Sequence, residues 1–128
     1  LLSGLRPSNG YFPIQIDDPF TNLYISPLLP IGFTNTNYYT VPANKILVLK
    51  TVCVNLIAGA SNLIILVGID GLNQIVYHSD VAPVLGAFNV LLRDLTFDAG
   101  SVLNLQIYCT AVNSQIRIFN NGYLINKT

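Results

Sequence analysis

Between residues 51 and 69 the chain carries no charged side chain and is rich in aliphatic and β-branched residues, and this run constrains the fold more than any other. It lies within a longer stretch, residues 41–69. There a Val41-Pro42-Ala43-Asn44-Lys45 turn leads into an apolar run ending at Ile57, and a second run follows from Leu63 to Ile69. By length alone the uncharged part approaches a membrane span. Asn55, Gly59, Ser61 and Asn62 would fall inside such a span, however, whereas two strands joined by a short turn at residues 58–62 account for them directly. The stretch is read as two long neighbouring strands, with no membrane span.

Alternation along these strands carries the next step. In the first, Leu47, Leu49, Thr51 and Cys53 alternate with Ile46, Val48, Lys50, Val52, Val54 and Leu56. In the second, Leu63, Ile65, Val67 and Ile69 alternate with Ile64 and Leu66. Both faces of both strands are apolar, although one face of an antiparallel sandwich is ordinarily solvated. Two-sided apolar strands predict a further covering layer: an arm, a long loop or another subunit. Ile64 and Leu66 are accordingly candidate interface residues.

Residues 1–36 hold five of the seven prolines, so regular sheet is not expected there. Their apolar side chains, Phe12, Ile14, Phe20 and Tyr24 among them, would not be carried by a freely solvated linker. They predict an extended arm that docks on its own domain or between subunits, and these four residues join the candidate interface. Residues 37–128 form the second part. Tyr38 opens its first strand, and Asp70-Gly71-Leu72-Asn73 predicts a hairpin turn. Residues 80–87 read as a connecting loop. The strand at residues 88–97 changes its alternation near Arg93-Asp94, which predicts a bulge or a crossing between sheets. Leu103, Leu105, Ile107 and Cys109 alternate with Asn104, Gln106, Tyr108 and Thr110 as a half-buried strand should, and Asn120-Asn121-Gly122 interrupts the last part of the sheet. The expected fold is all-β: an antiparallel β-sandwich of jelly-roll type, about eight strands, with an extended proline-rich N-terminal arm.

Charged residues make up 9% of the chain, against roughly 25% in an ordinary soluble domain, and the formal net charge is +0. Such a surface has little colloidal repulsion and suits permanent contact with other protein. The six basic residues are scattered and balanced by six aspartates, which excludes a basic footprint for nucleic acid. The chain does not begin with Met, and Leu1-Leu2-Ser3-Gly4-Leu5 is too short for the apolar core of a signal, so a processed chain or a fragment is expected.

No residue set predicts catalysis. His78 lies in Tyr77-His78-Ser79-Asp80, but successive strand residues diverge, and there is neither a nucleophile elbow nor a second histidine; a surface or interface role is expected. Cys53 and Cys109 each share a face with leucines and should point into the core, whether bonded or free. With two cysteines and one histidine, no ligand spacing supports a metal, and no cofactor is expected. Tyr38 and Tyr39 are candidate glycan contacts under an alternative reading, because sugars stack on aromatic rings beside amides.

The succession Thr40-Val41-Pro42-Ala43-Asn44-Lys45, Phe97-Asp98-Ala99-Gly100-Ser101-Val102-Leu103 and Gly122-Tyr123-Leu124-Ile125 resembles the small jelly-roll β-sandwich modules of phage and viral structural proteins. The resemblance spans residues 38–126 and rests on short, turn-like motifs. It implies a structural protein without enzymatic activity, located on a virion or outside the cell. Such a chain would partner itself as a homo-oligomer, a trimer being favoured, together with other structural proteins of a decoration, capsid or fibre assembly. The alternative is a secreted carbohydrate-binding β-sandwich module.

Overall fold

The structure, a computed structural model, describes residues 18–127. Eight strands follow one another: β1 (Asp18–Ile25), β2 (Gly32–Thr40), β3 (Lys45–Ala58), β4 (Ser61–Asp70), β5 (Asn73–Val81), β6 (Phe88–Phe97), β7 (Val102–Cys109) and β8 (Gln115–Asn126). The described residues contain no helix, so none is long and apolar enough to cross a membrane. Antiparallel pairing is nested, β1 with β8, β2 with β7, β3 with β6 and β4 with β5, as if one long hairpin had been rolled up. Contacts of β3 with β8 and of β4 with β7 complete two four-stranded sheets, ordered β1-β8-β3-β6 and β2-β7-β4-β5. This is the jelly-roll arrangement the sequence predicts.

The core lies between the sheets. Leu47, Leu49, Val52 and Val54 of β3 and Ile116 and Ile118 of β8 face Ile64 and Leu66 of β4 and Leu103, Leu105 and Ile107 of β7. Each such side chain contributes about 1.5–3 kcal/mol on burial. The sheets interlock at Gly68 of β4, where a Cβ would occupy the position of the Phe97 ring of β6.

Three bulges explain where alternation and structure part company. Lys50 is one extra residue of β3 relative to β8, since Leu49 pairs with Gly122 and Thr51 with Asn121. Beyond it the inward row passes from Leu47 and Leu49 to Val52 and Val54. The second apolar row of β3 is thus largely the same row after a change of phase, and no extra layer is needed to cover it. On β6, Arg93 and Asp94 lie between Leu92, opposite Thr51, and Leu95, opposite Leu49, which is the bulge the sequence predicts. On β2 the register shifts between Asn37 and Tyr39.

The boundary expected at residues 36/37 also moves. β1 and β2 are full members of the sandwich, so residues 18–36 belong to the domain. Proline is compatible with β1 because that strand is an edge, bonded on one side only. Strand β8 runs through Asn120-Asn121-Gly122 without a break. The remainder of the expected arm lies outside the described residues.

Candidate interaction surfaces

Four of the six candidate interface residues face the chain's own core. Ile64 and Leu66 are 0% exposed, Phe20 is buried with them, and Tyr24 packs against the same cluster. Ile64, Leu66 and Phe20 are therefore unavailable to a second subunit in this fold, while Tyr24 is half-buried. Phe12 and Ile14 lie outside the described residues.

The two tyrosines considered for glycan contact also turn inward. The β2 bulge directs both Tyr38 and Tyr39 toward the core cluster, where strict alternation would have sent one outward. The Tyr39 ring meets Phe20 edge-on at 4.9 Å, and Tyr38 tilts against Tyr24 at 5.2 Å. The Tyr38 and Tyr77 hydroxyls share a 2.8 Å hydrogen bond, and the Asn120 amide donates to Tyr38 over 3.4 Å. Burial pushes the Tyr38 phenol up to about 12 and Tyr77 further in the same direction. Asn22 stands directly opposite Asn120, and the Oδ1 of each is buried without a protein partner. The core thus contains a polar seam that alternation alone does not reveal.

Of the remaining residues singled out, His78 is buried on β5, which corrects the expected surface placement, while Ser79 diverges from it and is exposed. Both cysteines are free thiols. Cys109 is buried and burial raises its pKa, but Cys53 points to the outer face because the Lys50 bulge reverses the parity on which its inward assignment rested. Among the described residues no group of three His, Cys, Asp or Glu side chains could hold a metal ion.

The outer faces differ in chemistry. On the β1-β8-β3-β6 sheet, Leu23, Phe119, Cys53 and Val90 occupy one cross-strand row over all four strands. Part of that row lines a shallow recess of about 260 Å³ together with Asn55 and Arg117. On the other sheet an amide ladder is formed. Asn104 Nδ2 donates to Asn35 Oδ1 at 2.6 Å and to Asn37 Oδ1 at 2.8 Å, and Gln106 Nε2 donates to Asn104 Oδ1 at 3.1 Å. Beside it the exposed rings of Phe33 and Tyr108 pair at 4.8 Å, and β4 contributes an outward apolar row that includes Ile65 and Val67.

Three lysine–aspartate pairs lie at the surface of the described residues. Lys45 bonds Asp18 at 2.8 Å and Lys127 bonds Asp98 at 2.9 Å, while Lys50, set outward by its bulge, pairs with Asp94. Lys127, and next the Ala99 N–H, hold the Asp98 carboxyl below the usual carboxylate range. Its contribution is therefore present above the unfolded-state pKa and lost as pH falls through the lower folded-state value. In an NMR titration Asp98 should titrate below the ordinary value of about 3.9, and Lys127→Ala should return it most of the way while leaving the melting temperature nearly unchanged. An unshifted Asp98 in the parent protein would contradict the pair.

No family model matches the chain, and no curated protein matches it. Among solved structures it is similar to a chain in the "Structure of infectious bursal disease virus Gx strain", at 7% identity and a TM-score of 0.39, over 94% of this chain and 44% of that one.

Proposed function

We propose that the chain is a structural subunit that assembles with copies of itself on a larger particle, as a virion decoration, capsid or fibre component, and that it carries out no reaction. The observation that carries this reading is the surface. Fifteen large hydrophobic residues are exposed among the described residues, in a chain with only 9% charged side chains. Jelly rolls serve in viral coats and in lectins alike, so the fold admits the reading without selecting it. Where such side chains are contiguous they mark an interaction site rather than a solvated face. The mechanism is burial of part of that surface between subunits, with the proline-rich arm proposed to clamp a neighbour.

Light scattering on the full chain tests the reading. A mass several times that of one chain is expected, and a stable monomer at micromolar concentration would overturn it. The arm is tested separately by deleting residues 1–17, which leaves β1 in place: assembly should weaken while the melting temperature holds, and unchanged assembly would remove the arm from the mechanism. A carbohydrate-binding role has one observation in its favour, the exposed Phe33–Tyr108 pair beside the amide ladder. Glycan-array binding abolished by Tyr108→Ala would establish it in place of assembly.

A further inference from the structure

The two ends of the sandwich differ in polarity. At one end lie the connections β1–β2 (residues 26–31), β3–β4 (59–60), β5–β6 (82–87) and β7–β8 (110–114), and none contains Asp, Glu, Lys or Arg. Backbone hydrogen bonds gather them into one unit. Leu29 N–H donates to Ser114 O at 2.8 Å, Thr110 N–H to Ala60 O at 2.9 Å, and Gly86 N–H to Leu56 O at 2.9 Å. On these loops Leu28, Ile31, Val84, Leu85 and Val112 are between 55% and 69% exposed. Ile25, Phe33, Val81 and Tyr108, in the adjoining strands, continue the apolar surface. The opposite end carries Asp18, Lys45, Asp70, Asp98 and Lys127, with two of the ion pairs.

We infer that the uncharged end is the contact between copies of this chain, its loops packing about a rotation axis against the same loops of a neighbour. This rests on the homo-oligomer reading above and names its surface. At roughly 100 Å² apiece, the five loop side chains expose on the order of 500 Å², at the upper end of the ~300–600 Å² of the largest apolar patch on a typical monomer. Phe33, Val81 and Tyr108 on one adjoining face bring it toward the ~800 Å² each partner gives to a standard interface.

Charge selects the occupant. Close to a rotation axis a side chain lies beside its own copy, so a charge placed there would meet a like charge. The loops at this end meet their copies with no such pair. A lipid bilayer fits less well, because irregular loops bring backbone polar groups that hydrocarbon cannot satisfy, and these loops have no Lys or Arg for anionic headgroups. Pro27, Pro30 and Pro83 restrict the loops in advance and lower the entropy lost on docking.

The test is the solution mass of the full chain and three variants, with thermal melts to verify folding. Val84→Asp and Val112→Asp should raise the dissociation constant by at least about 100-fold and give monomers, whereas Val76→Asp, exposed on an outer sheet face, should assemble like the parent protein. Should a charged variant unfold, the near-isosteric Val112→Thr tests the same contact: about tenfold weaker assembly is expected, and unchanged assembly overturns the inference. If both aspartate variants keep the parent mass, the contact lies elsewhere while the homo-oligomer reading stands. A monomeric parent protein overturns both, and its flotation with phosphatidylcholine–phosphatidylserine vesicles would assign the apolar end to a bilayer.

Discussion

Gly122→Ala is expected to cost roughly 3 kcal/mol or more, or to prevent folding, although it adds a single methyl group. Where the Lys50 bulge presses β3 toward β8, a Cβ on residue 122 would fall on the Val48 carbonyl oxygen and lie 3.0 Å from the carbonyl carbon and 3.1 Å from Lys50 N. These are backbone atoms of a strand held by ladders on both sides, so neither strand can retreat without losing hydrogen bonds. Gly71→Ala is the control. That glycine takes φ +60° at the β4–β5 turn with nothing within 4 Å of a Cβ, so only the backbone preference is lost, about 1 kcal/mol. Urea unfolding of both variants checks the contrast. A Gly122→Ala protein as stable as the Gly71→Ala protein would show that the strands do not approach as described.

Alkaline pH should unfold the protein through the Tyr38–Tyr77 pair. An unfolded tyrosine ionises near pH 10, whereas burial, its largest cause, raises Tyr38 to about 12 and moves Tyr77 upward as well. The native state favours the neutral phenols. Stability is therefore insensitive to these groups below about pH 10 and falls as pH rises above it. At pH 12, Tyr38 alone removes about 2.3 kcal/mol, and Tyr77 removes at least as much. The combined loss rivals the 5–15 kcal/mol of a typical domain. Phenolate absorbance from the two residues should appear together with loss of the β-sheet circular dichroism signal. Tyr77→Phe should cost about 1 kcal/mol at neutral pH, by removing a hydrogen bond, yet make the alkaline transition shallower. Ionisation of both tyrosines near pH 10 with the sheet intact would contradict the buried pair.

Legibility followed the reach of each signal. The Gly71-Leu72 hairpin, the bulge at Arg93-Asp94 and the clean alternation of Leu103, Leu105 and Ile107 were readable because each is a local pattern of turn chemistry or period. The inward Cys53 and the doubly apolar β3 were misread at Lys50, where one inserted residue reverses every assignment after it. Tyr38 and Tyr39 both turn toward the core at the β2 bulge, where strict alternation sends one of them outward. The prolines argued against sheet in residues 18–36, but whether a proline-bearing segment can pair depends on its being an edge, and that is a property of the assembled sheet.

That the chain is all-β, where most of its strands and turns fall, and that its surface is poor in charge are all legible in the residues alone. These follow from side-chain chemistry and short periodicities. Only the tertiary structure decided which of two apolar rows on β3 faces the core, that Ile64 and Leu66 belong to the chain's own interior, and that the four uncharged connections gather at one end. Register and strand order are collective, set by ladder hydrogen bonds between residues far apart in the chain, and no local window contains them.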